Sequence, residues 1–338
     1  MRVFRHYTDL PENVRGAVVA IGNFDGIHRG HQAIIAAAAE RARAAKAPLA
    51  VLTFEPHPRS FFRPDLPPFR LTPFRIKARL VEALGVDLLF VLTFDEALSR
   101  LSAERFVAEV LVAGLGIRHA VIGDNFAFGH KRGGTPETLR ALGERHGFAV
   151  TCLTRVKGPG EEIYSSTRIR DYLQAGNPTR AALLLGRYWE IEARVQAGDK
   201  RGRKLGFPTA NLPLDGYLVP ARGVYAVRAG IDRGTAIHWH GGVANLGVRP
   251  TVDGTTLLFE VNLFDFAGDL YGHHLRVALV DHLRPEMKFD GLDALKRQIA
   301  EDSRRARVIL ASEHWERGWP ATPFGPAAAG EAFGGGQH

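Results

Sequence analysis

Gly22-Asn23-Phe24-Asp25-Gly26-Ile27-His28-Arg29-Gly30-His31 is the stretch whose reading decides the fold. It follows the apolar run Ala17-Val18-Val19-Ala20-Ile21, which reads as a buried strand, and precedes Gln32 to Ala45, an Ala- and Arg-rich stretch that reads as a helix. A strand, a glycine-bearing turn and a helix N-terminus together make a phosphate site, because free backbone N–H groups and the positive end of the helix dipole converge there. Gly22, Asn23 and Phe24 leave the strand, Gly26 and Gly30 let backbone approach a ligand closely, and His28 and His31 add donors beside it. The competing readings are a solvated pair of histidines and a metal pair; against the metal, few other ligands and no cysteine stand nearby.

Working outward, the first half alternates strand-like and helix-like segments. Leu49 to Phe54 and Asp87 to Leu92 are apolar strands, and between them Thr72 to Leu84 places Ile76, Leu80 and Leu84 on one stripe, closed by Gly85. Ser102 caps a helix with Phe106, Val107, Val110 and Leu111 at helical spacing. Ala120 to Ile122 is a strand running into the loop Gly123 to Gly134. Thr135-Pro136 then reads as an N-cap with proline at the first helical position, and Phe148 to Val156 as a further strand. This order predicts a parallel sheet flanked by helices, with its site at the strand C-termini. No Gly-x-Gly-x-x-Gly occurs in the strand-to-helix turn, which disfavours a dinucleotide redox domain.

The pattern changes near Gly186. Trp189, Ile191, Ala193 and Val195 alternate with Glu190, Glu192, Arg194 and Gln196, a period of two. Strand-like runs follow at Val224 to Ala229, Ile237 to Ala244, Leu257 to Phe264 and Leu275 to Asp281, with turns and no helices between them, which predicts a small antiparallel barrel. A helix beginning near Asp290, with Leu292, Leu295 and Ile299 on one side, closes this part. From about Pro320 the chain is mostly Ala, Gly and Pro, which predicts a disordered tail over 319–338. The expected domains are therefore 1–185 and 186–318.

With 338 residues, 45% hydrophobic and 24% charged, the chain can bury about two cores. No apolar run approaches the ~18 residues of a membrane span, and Met1 to Gly16 lacks the apolar centre of a signal peptide. A single cysteine excludes an internal disulfide and points to a reducing cytoplasm. The net charge of +8 suits polyphosphate ligands as well as nucleic acid, but there is no basic tract interleaved with aromatics and no nucleic-acid-binding motif. The expectation is small-molecule substrates, with no nucleic acid and no membrane as partners.

Other stretches carry chemistry. Gly123-Asp124-Asn125-Phe126-Ala127-Phe128-Gly129 sets a polar pair at a strand end, where the plainer reading is an ordinary loop with a Phe anchor. Ser165-Ser166-Thr167-Arg168-Ile169-Arg170 opens a helix with Ile169, Tyr172 and Leu173 facing inward, and its hydroxyls and Arg170 form a second anion site or, more plainly, a capped helix with surface arginines. In the second half, Gly198 to Gly206 is a basic glycine-rich loop ending in Phe207-Pro208-Thr209-Ala210-Asn211. It reads as a phosphate wrap or a solvated turn, and Thr209 and Asn211 offer neutral oxygens to a nucleotide-bound Mg²⁺. On the run Leu258 to Phe264, Phe259, Val261 and Leu263 share one face, so Glu260 faces away, as a solvated residue or as a carboxylate base for an alcohol.

His-x-Gly-His at the first strand-to-helix turn resembles the signature of the nucleotidylyltransferase superfamily, in which the two histidines hold the α-phosphate of a nucleotide while another phosphate attacks it. Both halves together resemble the prokaryotic bifunctional riboflavin kinase/FAD synthetase family, from about Val18 to the helix after Asp290. The motifs that carry this are GNFDGIHRGH, TFEPHPRSFF, GDNFAFG and SSTRIR, then RGRKLGFPTAN, GVANLGVRPT, FEVNLFDFAGDLYG and LRPEMKF. The resemblance implies a Rossmann-like nucleotidylyltransferase domain followed by a kinase β-barrel. The second would phosphorylate riboflavin with ATP and Mg²⁺ to FMN, and the first would adenylylate FMN with ATP to FAD and pyrophosphate. It implies that Thr209 and Asn211 belong to the Mg²⁺–ATP motif, with Gly206 in the same nucleotide loop, and that Glu260 is the base. His28, His31 and Asn125 fall at adenylyl-transfer positions, with Gly22, Asn23, Phe24 and Gly30 around them, and Ser166, Thr167 and Arg170 in the second anion motif. Three positions depart from the family's frequent residues: Ile163 and Met287 stand where basic residues are common, and Asn262 where histidine is frequent.

Overall fold

A computed structural model of the chain describes residues 1–196, 208–232, 237–251 and 254–312. The basic loop with Gly206 and the expected tail lie outside the described residues. Contacts divide the chain into two units, one of Met1–Pro67 with Thr72–Ser165, the other of Pro68–Leu71 with the described residues from Ser166 on.

In the first unit the apolar runs become parallel strands: β1 (Arg2–Phe4), β2 (Val18–Ile21), β3 (Leu49–Glu55), β4 (Leu88–Thr93), β5 (His119–Gly123) and β6 (Ala149–Leu153). Their order is β1-β4-β3-β2-β5-β6, so the winding reverses between β2 and β5. Such a reversal opens a crevice at the strand C-termini, and the turn after Ile21 and the loop after Gly123 both leave from it. β2 and most of β3 and β4 are buried on both faces, which is why they read as continuous apolar runs rather than alternating ones.

The helices of this unit are α1 (Arg29–Ala45), α2 (Pro58–Phe62), α3 (Phe74–Ala83), α4 (Glu96–Ser99), α5 (Ala103–Arg105) and α6 (Pro136–His146). Ser102 caps α5 by accepting from the Arg105 amide at 3.2 Å, and Thr135 caps α6 by accepting from the Thr138 amide at 3.3 Å, as their spacing indicates. Beyond α5 the chain widens into a π-helical stretch, Phe106–Gly114, which keeps Phe106, Val107, Val110, Leu111 and Gly114 in the core together. Strand β1 is not legible in the sequence, being three residues long and charged at its first position; its pairing with β4 defines it.

The second unit begins with two helices, α7 (Ser166–Gln174) and α8 (Pro178–Leu185), which cluster with it although the patterning changes only at Gly186. Six antiparallel strands follow: β7 (Trp189–Arg194), β8 (Ala210–Leu212), β9 (Gly223–Asp232), β10 (Ile237–Thr251), β11 (Gly254–Leu263) and β12 (His274–Arg284), in the order β7-β12-β9-β10-β11-β8. A bridge between Gln196 and Asn211 joins the two edges, and register shifts in β12 curl the sheet into a barrel-like form. One face buries Tyr225, Val227, Leu246, Phe259, Val261, Val277 and Leu279. On the other, Val224, Ala226, Val243, Val280 and Leu283 pack under the terminal helix α9 (Leu292–Leu310) through Ala306 and Leu310.

Two expectations need correction. Glu190 does not face solvent as the period of two implies: it is 5% exposed and takes a bidentate pair from Arg276 at 3.0 and 3.2 Å, so both faces of β7 are covered over its first three residues. In α9 the seated residues are Asp302, Ala306 and Leu310, whereas Leu292 is 63% exposed, because only the C-terminal half of the helix reaches the sheet. The second unit also takes in Pro68–Leu71, whose Leu71 carbonyl accepts the buried Trp189 indole N–H at 2.8 Å.

Helix α9 is anchored by a buried ion pair. Asp302 is 2% exposed and receives Arg284 Nε at 3.1 and 3.0 Å, Arg284 Nη2 at 2.7 Å and Gln298 Nε2 at 2.9 Å. Asp302→Ala leaves Arg284 without its carboxylate and should lower stability to urea by about 3–5 kcal/mol. Arg304→Ala, which removes an exposed pair with Glu301 on the same helix, should leave the unfolding transition in place.

Candidate active site

The turn that leaves β2 is built against backbone preference. Phe24 (φ 48°), Gly26 (φ 93°) and Ile27 (φ 43°) all lie in the left-handed region, which costs a β-branched residue most. The Phe24 and Ile27 side chains, 1% and 0% exposed, hold it there. Asp25 is also buried: its Oδ1 accepts from the Thr72 amide at 3.0 Å and hydroxyl at 3.3 Å, while the Gly26 amide donates to Thr72 Oγ1 at 2.9 Å. The sequence presents Thr72 only as a helix start, and nothing local signals that it clamps a turn 46 residues away.

The helix after this turn starts at Arg29 rather than Gln32, because His28 serves as its N-cap. His28 Nδ1 accepts the His31 amide at 3.3 Å, which puts the His28 ring proton on Nε2. The two imidazoles stack at 3.6 Å with 20° between planes, and Phe24 meets His31 edge-on at 5.2 Å. A Cβ on Gly30 would come within 3.1 Å of the His28 ring, so the bare backbone at Gly30 makes room for that ring. Two nitrogen-bearing rings thus sit over a helix N-terminus, where anionic charge is favoured.

Asn125 follows β5 on the adjacent strand. It is exposed, with Oδ1 3.3 Å from where a Cβ on Gly123 would lie. Its loop is fixed on either side. Asp124 accepts from the Arg155 amide at 3.2 Å and side chain at 3.1 Å, and Phe128 stacks on Phe126 and packs against Phe106. Gly22, Asn23, Phe24, Gly30, His28, His31 and Asn125 are therefore gathered at one end of one sheet.

In the second unit, Ser166 and Thr167 begin α7, which buries Ile169 and Leu173. Arg170 donates Nε to the Phe69 carbonyl at 2.8 Å and lies over the Phe69 ring, which fixes the plane of its guanidinium.

Glu260 is paired directly with Asn211 across β11 and β8, and with Asn245 across β11 and β10. Directly opposed residues point to the same face with Cβ atoms about 4.5–5.5 Å apart, so an amide stands on each side of the half-buried carboxylate. Phe259 and Val261, both 1% exposed, point to the other face, as their alternation indicates. Thr209 lies just before β8, on the wall of a cavity of about 330 Å³ that Val195, Ala210, Val261, Leu263 and Tyr271 also line. Asn262 donates Nδ2 to the Pro208 carbonyl at 2.7 Å and so ties down the segment that carries Thr209, a role its position two residues after Glu260 could have suggested. A hydroxyl, a side-chain amide and a nearby carboxylate are hard oxygen donors and fit Mg²⁺. Among the described residues no group of three or more His, Cys, Asp or Glu side chains could hold a metal by itself, so nucleotide phosphates would have to supply further ligands.

Comparison with known proteins covers both halves of the chain. The profile of the FAD synthetase family matches residues 10–168, and that of riboflavin kinase matches residues 185–310. The bifunctional riboflavin kinase/FMN adenylyltransferase of Pseudomonas fluorescens is 45% identical over 313 residues, covering 92% of this chain and 98% of its own. The protein of that name from Escherichia coli K12 is 42% identical over 295 residues, covering 87% and 93%. A crystal structure described as a macrolide-efflux protein from Streptococcus pneumoniae shares the fold with a TM-score of 0.81 and 32% identity, over 91% of this chain and 99% of that one. With both profiles matched in order and such relatives along most of its length, the chain belongs to the bifunctional riboflavin kinase/FMN adenylyltransferase family.

Proposed function

We propose that this chain makes FAD from riboflavin in two ATP-dependent steps, with residues 186–318 acting as the kinase and residues 1–185 as the adenylyltransferase. The observation that most directly supports this is the register that sets Glu260 beside Asn211. In the kinase step the riboflavin 5′-hydroxyl attacks the γ-phosphate of ATP, the bond to the β,γ-bridging oxygen breaks and ADP leaves, and Glu260 takes the hydroxyl proton, since a primary alcohol is a poor nucleophile at neutral pH. Thr209 and Asn211 would hold Mg²⁺ through their side-chain oxygens, and the ion would neutralise charge on the transferring phosphoryl group. The cavity beside Thr209 is of a size for a nucleoside, and Gly206, three residues before Thr209 in the sequence, is assigned to nucleotide binding with it.

In the second step an FMN phosphate oxygen attacks the α-phosphate of ATP and pyrophosphate leaves. His28 and His31 meet the negative charge that develops there, aided by the N-terminus of α1. Gly22, Asn23, Phe24, Gly30 and Asn125 contact the nucleotide, and Ser166, Thr167 and Arg170 take the outgoing phosphates. No helix among the described residues is long and apolar enough to cross a membrane, and the free thiol of Cys152 suits a reducing cytoplasm as the site of action.

Incubation of the purified chain with riboflavin, ATP and Mg²⁺, followed by chromatography, should yield FMN and then FAD. FMN alone would reduce the reading to a kinase, and no conversion would overturn it. Removing one preorganised donor typically costs about 10²–10³ in rate, so His31→Ala should slow FAD formation from added FMN by that factor while riboflavin phosphorylation stays near normal. Glu260→Gln should show the reverse pattern, losing about 10²–10⁴ in FMN formation with near-parental riboflavin and ATP binding; phosphorylation within a few-fold of the parent would make Glu260 a positioning residue. Asn211→Ala should abolish FMN formation and leave FMN adenylylation intact, and the parent kinase should lose activity when EDTA removes Mg²⁺.

A further inference from the structure

Two polar side chains of the first unit have no part in the chemistry described so far, yet they are buried beside the turn that carries it. Lys77, in the second turn of α3, is 0% exposed. Its Nζ donates to Glu55 Oε1 at 3.0 Å and to Thr53 Oγ1 at 3.3 Å. Thr53, also 0% exposed, donates its hydroxyl to the carbonyl of Asn23 at 3.2 Å. Thr53 and Glu55 are two apart on β3 and so share one face, which lets one ammonium bridge them.

A fully buried lysine is costly unless its charge is compensated, and a leucine or methionine would fill the same space at less cost. Stability alone therefore gives a weak reason for lysine here, while the position of its partner gives a stronger one. Asn23 is the residue before Phe24, where the left-handed backbone begins, and five residues before His28. The same helix grips the turn a second time through Thr72, just ahead of its first turn, which holds Asp25 and the Gly26 amide. Helix α3 thus fastens the strained turn at two successive places, once by a hydroxyl at its start and once by an ammonium acting through Thr53.

We infer that Lys77 is a positioning residue for adenylyl transfer: through Thr53 it fixes the Asn23 carbonyl, and with it the path of the turn that sets His28 and His31 over the helix N-terminus. The inference rests on the reading of that histidine pair as the adenylyl-transfer site. A shift of the turn by a fraction of an ångström misaligns donors that act on the transition state and leaves ground-state binding of ATP largely alone, so the effect falls on kcat more than on KM.

The test uses the full-length chain. Thr53→Val keeps shape and the Lys77–Glu55 pair but cuts the link to Asn23, and should lower kcat for FMN adenylylation by about tenfold, with KM for ATP and FMN within about threefold. Lys77→Met should lower kcat by about 10- to 100-fold. The double variant should be no slower than Lys77→Met alone, because both changes break one chain of contacts. Riboflavin phosphorylation, measured on the same preparations, should stay within about twofold of the parent, and the near-parental KM for ATP and FMN reports that the first unit is folded. If Lys77→Met fails to fold, Thr53→Val decides alone. Parental kcat in Thr53→Val, or additive losses in the double variant, would overturn the inference, as would equal losses in both activities. His31→Ala, run alongside, separates the two levels: if it leaves adenylylation unchanged, the site reading itself fails, whatever the Thr53 result.

Discussion

The structure of the first unit depends on keeping two non-glycine residues of one turn, Phe24 and Ile27, in a backbone conformation they do not prefer. Left-handed φ at Phe24 and Ile27 puts strain of about 1–3 kcal/mol on each residue, and it persists only because the surroundings over-determine it. Burial of the Phe24 and Ile27 side chains supplies one restraint, and the Asp25–Thr72 clamp another. The benefit is local geometry. A relaxed turn would carry the chain past the strand end, whereas this one brings His28 back to cap α1 and stacks it on His31.

In the second unit the corresponding constraint is register. A one-residue slip between β8 and β11 would carry Asn211 to the opposite face and separate it from Glu260, while turning Phe259 or its partners toward solvent. The apolar residues on one face thus enforce the polar alignment on the other, and the placement of Asn211 beside Glu260 is inherited from core packing. The bridge at Gln196 reinforces this by pinning Asn211 from the second side of the barrel.

Three ion pairs with a buried partner tie elements together among the described residues. Glu190 with Arg276 lies within the sheet, Asp302 with Arg284 beneath α9, and Lys77 with Glu55 between helix and sheet. Each joins segments distant in sequence, and each needs both partners to offset the loss of water. Such pairs add little net stability over apolar packing; what they contribute is a unique arrangement, since a displaced partner leaves a charge unsolvated.

The sequence by itself determined the class of each half and the family to which the chain belongs. Continuous apolar runs alternating with helical stripes could only be parallel strands under helices, and alternating runs without helices between them an antiparallel barrel. His28 and His31 at the strand-to-helix turn, and Glu260 opposite an apolar stripe, were legible because their signals lie within a few neighbouring residues. Tertiary structure alone decided what depends on pairing across long separations. The burial of Glu190, the seating of α9 by its C-terminal half, the transfer of Pro68–Leu71 to the second unit, and the roles of Thr72, Thr53 and Lys77 all belong to this class. Local pattern reports which residues leave water, whereas a hydrogen bond to a partner tens of residues away exists only once the chain has folded and brought donor to acceptor.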